Sequence, residues 1–332
     1  MRKILTRSVL FLFVTISLFS GVQDSTRIMV AGWNLENLFD TVDDPLVKDE
    51  EFTPEGSKNW TDDRLAVKLE HLSEIIKNMN SGNGPDFLSV EEVENQGIVE
   101  KLVEKCKSFR NYGIAYSESE DARGIDVGLL FDKNEFSLLK VVPHTVDIPF
   151  KTRPVLEVSI LTKDADTLYF FINHWPSRRG GQKESEVYRI AASNTLATAI
   201  EQRMKTNPEV KIFAMGDFND EPADESIKNL ITLFNDRENK LVNLALPLDE
   251  KNEGSYCYRG EWNMIDQMIV SESCIKGKMK YISNSFQVIK QEQMITKSGN
   301  YKDNPMPTYG GSKYLGGYSD HFPIGAYFIL TK

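Results

Sequence analysis

Six apolar runs of this chain end on, or open from, a carboxylate, an amide or an imidazole, and that habit limits what the chain can fold into. "RIMVAGW" leads to Asn34 and Glu36, "DFLSV" to Glu91 and Glu92, "TLYFFIN" to His174, and "KIFAMG" to Asp217 and Asn219. Asp266 lies inside "NMIDQMIVS", and Asp320 and His321 stand just before "FPIGAYFIL". Strand ends feeding loops are where a rigid scaffold presents functional groups. Singly, each residue has an ordinary explanation: Asp217 suits a turn, Asn34 a cap, and Glu92 a solvated strand end. Together they point to one functional edge. In "GYSDHFPIG" the acid and the imidazole are sequence neighbours. Neighbours on a strand face opposite ways, so one structural role does not account for both.

The rest of the chain supplies the scaffold. Leu65, Leu69, Leu72, Ile76 and Met79 keep helical spacing behind a capping Thr61 or Asp62, which predicts a helix from 62 to 80. "GNGP" then breaks the chain before the strand "DFLSVEEV". Further helices are predicted near 97–106, 183–205 and 222–233, the middle one ending before Pro208. "IDVGLLF", "PVLEVSIL", "TLYFFINH", "KIFAMG", "MIDQMIVS", a segment near 283–289 and "FPIGAYFIL" read as strands. Strands outnumber helices and come in clusters divided by helices. That predicts an α/β fold of two packed, mostly antiparallel or mixed sheets with helices outside, in one domain.

The opening residues do not belong to that domain. Basic "MRKILTR" precedes the thirteen-residue run "SVLFLFVTISLFS", and polar "GVQDSTR" follows. This is the layout of a secretory signal, too short for a transmembrane helix. Residues 1–22 are read as that signal, and 23–332 as the exported domain, secreted or periplasmic. Membrane contact is expected only through the signal segment, and no stable protein partner is evident. The net charge of −10 argues against a broad nonspecific grip on nucleic acid. It leaves room for a nuclease whose local basic rim and bound cations offset the global field. Cys106, Cys257 and Cys274 have no CxxC spacing and read as small buried hydrophobes, with at least one thiol free or paired between chains.

The motifs "WNLEN", "PDFLSVEEV", "NHWPSRRGG", "GDFND", "MIDQMIVS" and "GYSDHFP" span residues 33–323. In that order they resemble the endonuclease/exonuclease/phosphatase superfamily, which includes pancreatic deoxyribonuclease I and the apurinic-site endonucleases. The resemblance implies a four-layer α/β/β/α sandwich of the deoxyribonuclease I kind, with its site at one edge of the paired sheets. It implies that Glu92, with Asn34 and Asp320, holds Mg²⁺ or Mn²⁺, and that Glu36 lies where some members carry a further carboxylate. Hard oxygen donors suit those ions. Glu91 matches a position usually held by glutamine, and is not expected to be a ligand. His321 matches the catalytic histidine and Asp266 the carboxylate that orients it. Asp217 and Asn219, two apart on one strand end, are expected to point the same way and position water, phosphate or a second metal. His174 matches the first histidine of the deoxyribonuclease I branch. Arg178, with Arg179 and Lys183 nearby, is placed to grip a phosphate, as is Arg123 in "DARGIDVGLLF".

The expected protein is therefore a divalent-metal-dependent phosphoesterase, with a nuclease as first choice. "GDFND" lacks the tyrosine–arginine continuation typical of the superfamily's inositol-phosphate phosphatases. Tyr309 and Tyr314 in "TYGGSKYLGGYSDH" are candidates for stacking on bases. The acidic balance favours the alternative, a phosphatase or phosphodiesterase on small organic or lipid phosphates. A non-catalytic binding protein on the same scaffold is a third possibility, and the presence of all the key side chains counts against it.

Overall fold

The strands that lead to the polar ends are apolar on both faces, so each sheet has to be covered twice. The computed structural model describes residues 25–331, and the expected signal segment lies outside the described residues. One sheet contains β1 (Ser25–Leu38), β2 (Phe87–Val93), β3 (Tyr112–Tyr116), β4 (Asp126–Asp132), β13 (Met279–Tyr281), β14 (Gln287–Val288) and β17 (Ile324–Thr331). The other contains β5 (Phe136–His144), β6 (Val155–Thr162), β7 (Thr167–His174), β8 (Lys211–Asp217), β9 (Leu241–Asn243) and β12 (Asp266–Ser271). Two small hairpins join β10 (Tyr256–Tyr258) to β11 (Glu261–Asn263), and β15 (Tyr309–Gly310) to β16 (Lys313–Tyr314). The helices are α1 (Asp62–Asn78), α2 (Gln96–Cys106), α3 (Gln182–Thr206), α4 (Glu225–Leu233) and the single turn α5 (Leu246–Asp249).

Three apolar layers hold four structural ones together. Val30, Phe87, Phe170, Phe213, Met268 and Phe328 belong to the core between the sheets. Ala31, Leu88, Leu69, Leu72 and Leu102 pack the first sheet on α1 and α2. Ala214, Ile212, Leu196, Ile200 and Leu230 pack the second on α3 and α4. Thr61 caps α1 by accepting the Arg64 N–H, and Asn95 caps α2 through Ile98. Two mixed sheets with helices outside form the four-layer α/β sandwich of the deoxyribonuclease I type.

Topology brings the polar ends together. In the first sheet the order is β13-β17-β1-β2-β4-β3, with β14 also on β17; in the second it is β5-β6-β7-β8-β12-β9. β1 and β2 run parallel across α1, and β7 and β8 run parallel across α3, so all four finish at one edge. β17 is antiparallel to β1, and β12 to β8, so both begin at that same edge. Asp266 pairs directly with Asp217, and Asp217 with His174. Side-chain alternation does the rest. Val30 and Asn34, Phe170 and His174, Phe213 and Asp217, and Met268 and Asp266 share parity along their strands. The inter-sheet core therefore passes into polar groups at its rim.

Two strands fall where no clear apolar run was read. Tyr112–Tyr116 and Phe136–His144 are edge strands, and the second exposes Ser137, Leu138, Leu139 and Lys140. The expected strand near 283–289 shortens to Gln287–Val288, and the helix expected from 222 begins at Glu225. Cys106 and Cys274 are buried as expected, whereas Cys257 is half-buried, and none of the three is in a disulfide.

Candidate active site

The rim is built around a hydrogen-bonded acid–imidazole pair. Asp266 opens β12, and His321 lies three residues before β17, so the two sheets meet through them. Asp266 Oδ2 accepts from His321 Nδ1 at 2.7 Å and from Ser255 Oγ at 2.5 Å. The other ring nitrogen, Nε2, is 3.9 Å from Asp320 Oδ1. Burial by itself would lower the His321 pKa. Asp266, Asp320 and Asp217 outweigh it and hold the imidazole well above its ordinary value. The ring also lies 4.8 Å from the ring of Tyr256, which bridges to His321 from the 256–263 hairpin.

Asp217 ends β8, 2% exposed. Its Oδ2 accepts from Asn34 Nδ2 at 3.1 Å and lies 3.7 Å from His174 Nε2; its Oδ1 accepts the Asn219 N–H at 2.8 Å. Burial, then the charge of Asp266, pushes its carboxyl up to about 7. Gly216 before it has φ +119°, and a Cβ there would come within 2.2 Å of the Asn173 carbonyl, so only glycine lets β7 and β8 close at this point. Asn219 does not continue the strand beside Asp217, as its spacing suggested. It takes a left-handed backbone at φ 50°, and its Nδ2 turns to the Trp175 carbonyl at 3.0 Å. Glu36 (φ 51°) and Glu92 (φ 60°) share that conformation. Three non-glycine residues in a costly region of backbone space at one rim mark a site the surrounding structure over-determines.

The left-handed turn at Glu92 also explains its aim. Strand parity would send it toward α1 and α2, but the register slips between Glu91 and Val93. Glu92 Oε2 accepts the Asn37 N–H at 2.9 Å, and Oε1 lies 3.7 Å from His174 Nε2 and 3.6 Å from Arg123 Nη2. His174 is 4% exposed and its Nδ1 has no partner. Burial, followed by Arg153 and Arg123, keeps it well below the ordinary imidazole value, so it is neutral. Asp320 stays 41% exposed at the mouth.

Two of the expected residues are committed elsewhere. Glu36 gives both oxygens to backbone N–H groups, of Thr308 at 2.6 Å and Tyr309 at 3.2 Å, and lies 3.9 Å from Lys68 Nζ. Burial, partly offset by Lys68, raises it to about 7. It anchors the 308–318 loop. Arg178 binds the Asn219 carbonyl, Asn263 Oδ1 and Asp224, and lies near Asp220 and Glu221. It ties three site segments together and keeps no donor face for a phosphate. Arg123, half exposed beside Glu92, is the open cation of the expected pair. Tyr309 is likewise occupied, with its hydroxyl on the Lys58 carbonyl and its ring among Phe52, Trp60 and Tyr314.

Sequence reasoning did not single out Ser255, Tyr256 or Lys68. No motif marks the first two. Lys68 carried a signal, since it falls on the helical stripe of Leu65 and Leu72, where a lysine needs a reason. Its buried ammonium donates to Thr308 Oγ1 and the Tyr318 carbonyl, each at 2.6 Å. Glu91 is the other surprise. It is fully buried, and no donor reaches either carboxylate oxygen. Burial, then Asp266, raises it well above the carboxylate range, so it sits neutral beneath the rim. A neutral carboxyl is the nearest acidic equivalent of the glutamine usual at this position.

The donor set fits a hard divalent cation. Asn34, Glu92 and Asp320 offer oxygen atoms around a rim where burial, then neighbouring acids, raises the carboxyls of Asp217 and Asp320. Asp217, Asp266 and His321 also bring ligand atoms within 4.8 Å of one another. Asp266 Oδ2 and His321 Nδ1 are spent on each other, however, so that triplet is a hydrogen-bonded unit and the Glu92–Asp320 side is the better cradle.

A four-layer sandwich carrying acids and two imidazoles at the edge of its paired sheets defines the phosphoesterase class. The sequence matches the endonuclease/exonuclease/phosphatase family over residues 29–332, and the chain belongs to that family. Among solved structures it is similar to an endonuclease/exonuclease/phosphatase family protein from Bacteroides thetaiotaomicron, at 13% identity and TM-score 0.58, covering 93% of this chain and 96% of that one. It is similar to D. rerio TDP2 complexed with a single-strand DNA product, at 15% identity and TM-score 0.58, covering 91% and 99%. It is similar too to a mannosyl-6-phosphatase from Bacteroides thetaiotaomicron, at 12% identity and TM-score 0.57, covering 91% and 99%. No curated protein matches the sequence.

Proposed function

We propose that the chain is an exported, divalent-metal-dependent phosphodiesterase that hydrolyses nucleic acid. The observation that carries this reading is the His321–Asp266 pair set among the carboxylates of Glu92, Asp217 and Asp320. In its neutral form His321 keeps its one proton on Nδ1 against Asp266 and leaves Nε2 facing the rim, where it takes a proton from the attacking water. Ser255 holds Asp266 in place from behind. Asp217, fixed by Asn34 and the Asn219 N–H, orients that water. His174, neutral and close to Asp217 and Glu92, donates toward a phosphoryl or leaving-group oxygen. Arg123 balances charge on the phosphate from the open side. Asn34, Glu92 and Asp320 would hold Mg²⁺ or Mn²⁺, which supplies charge neutralisation at the phosphoryl oxygens.

The likeness to a protein solved with a single-strand DNA product supports nucleic acid as the substrate class. The net charge of −10 and the equal likeness to a sugar phosphatase favour the second reading, a small phosphate ester. Purified protein with Mg²⁺ or Mn²⁺ should be given single-stranded DNA, duplex DNA, RNA, hexose 6-phosphates and a chromogenic phosphodiester. Turnover of a strand well above that of every monoester supports the proposal. Turnover confined to monoesters overturns it in favour of the phosphatase.

A further inference from the structure

The rings that the sequence offered for stacking on bases, Tyr309 and Tyr314, pack on each other and against Phe52, Trp60 and Arg64. The open rings at the rim come instead from the β10–β11 hairpin. Tyr256 lies 4.8 Å from the His321 ring and shares a β-bridge with that residue. Tyr258, two residues on in the same strand, faces the same way and is 54% exposed. Burial, then Asp320, Asp217 and Tyr258, raises the Tyr256 phenol above its ordinary value, which fits both phenols on the cleft side of the hairpin. The hairpin turns through Arg259 and Gly260, at φ 53° and 88°. A two-residue turn of this kind prefers asparagine or glycine, and a long side chain held there is strained. Arg259 is nevertheless at the tip, exposed, with its guanidinium 5.1 Å over the Tyr258 ring.

Strand order gives the rim two unlike flanks. β12 and β17 stand at one end of it and β6 and β4 at the other, with β8 and β7, and β1 and β2, between them. The hairpin leads into β12, so it stands on the His321 flank. It sets Arg259 against a single acid, Glu261. On the far flank the loops that lead into β4 and β6 line a groove with Glu118, Glu120 and Asp147, all exposed, and the groove's Lys151 is paired to Glu120. A polyanion is repelled from that groove and not from the hairpin. Open aromatic faces beside a cation hold a single strand by stacking, a contact that every base can make. On the reading of nucleic acid as the substrate class, on which this rests, we infer that the β10–β11 hairpin is the platform for the substrate strand. A base beside the scissile phosphate stacks on Tyr258, Tyr256 walls the space between that base and His321, and Arg259 balances a neighbouring phosphate. The strand leaves the site over this flank alone.

The test compares a substrate that has bases with one that has none. Wild type, Tyr258→Ala, Tyr258→Trp and Phe150→Ala are assayed with Mn²⁺ on single-stranded octathymidylate and on methyl 4-nitrophenyl phosphate. Phe150 is an exposed ring of the far flank and serves as the control. Loss of one stacked base corresponds to about 5- to 150-fold in affinity. Tyr258→Ala should therefore raise KM for the strand by that factor, with kcat little changed, and stay within about twofold of wild type on the methyl ester. Tyr258→Trp should keep the wild-type KM, and Phe150→Ala should match wild type on both substrates. Strand turnover untouched by Tyr258→Ala overturns the inference, as does an equal loss on both esters, which marks a structural role. A strand KM raised by Phe150→Ala and not by Tyr258→Ala also overturns it and moves the strand to the far flank. Wild type that hydrolyses the methyl ester and no strand is a different failure: it removes nucleic acid as the substrate class, and the platform with it.

Discussion

Asp266→Asn bears hardest on the proposed chemistry. It removes one charge and keeps the shape of a side chain that holds His321 Nδ1 at 2.7 Å and Ser255 Oγ at 2.5 Å. An amide that turns its NH₂ to the ring selects the tautomer with the proton on Nε2, which cannot accept one from water. A hydrogen bond to a charged group is worth about 1.5–3 kcal/mol, so its loss alone slows turnover about 10- to 150-fold. Adding the wrong tautomer should bring the loss to about 10³-fold, within the span of general acid–base catalysis. The direction of the pH effect follows from the charges. Asp266 is the foremost of the acids that raise His321 against burial, so removing it lowers that pKa. The ascending limb of the pH–rate profile should therefore move to lower pH while the plateau falls. Ser255→Ala, which only loosens Asp266, should cost about 2- to 10-fold. The assay is turnover of a chromogenic phosphodiester across the neutral and alkaline range, with His321→Ala and the double variant for comparison. An Asp266→Asn enzyme within about threefold of wild type with an unmoved limb would mean that Asp266 does not act through His321. So would losses that multiply in the double variant, since a unit fails once.

Three further outcomes follow from the buried charges. Asp217 and Glu36 stand at about 7 in the folded chain, against ordinary values of 3.8 and 4.5. The folded state thus binds more protons, and metal-free protein should lose stability as pH rises from about 4 to 7, a loss that Mg²⁺ or Mn²⁺ reduces; urea denaturation at a series of pH values measures it. Glu91→Gln removes an unpaired carboxyl from the interior, so it should stabilise the fold by about 1–3 kcal/mol at alkaline pH and by less near pH 4, read as a difference in denaturation midpoint. Lys68→Met breaks a buried ion pair and frees Thr308 and Tyr318, and should cost about 3–5 kcal/mol. Adding Glu36→Gln should recover part of that, and purely additive losses would contradict the coupling.

Much of this was legible in the chain because topology and alternation are both written in apolar periodicity. "KIFAMGD" and "MIDQMIVS" carry enough parity to place Asp217 and Asp266 on the core side of their strands, while the direct pairing of the two residues is set by strand order and register. Periodicity could not foresee the left-handed turns at Glu36, Glu92 and Asn219, because a single positive φ leaves the apolar pattern on either side unchanged. Those turns decide where three side chains point. They send Glu92 toward His174 and Asn219 toward the Trp175 carbonyl. Charge type was read more easily than charge state. Arg178 looked free because its partners Asp224 and Asn263 are distant in sequence, and Glu91 looked incidental because burial rather than any motif makes it neutral. The strand Phe136–His144 went unread for a related reason: an edge strand with one wet face shows no long apolar run.

In the proposed chemistry the rim formed by Asn34, Glu92 and Asp320 works with His321 to hydrolyse phosphate esters. Its most direct test is turnover of a chromogenic phosphodiester as Mn²⁺ is titrated into chelator-stripped wild type, Glu92→Gln and His321→Ala. Wild type should show no turnover before metal and saturable activity after it, and Glu92→Gln should need more metal. His321→Ala should keep the wild-type metal requirement, with turnover lower by about a hundredfold or more. Undiminished hydrolysis in chelator, or a Glu92→Gln enzyme with the wild-type metal requirement, would mean that metal at this rim does not drive hydrolysis.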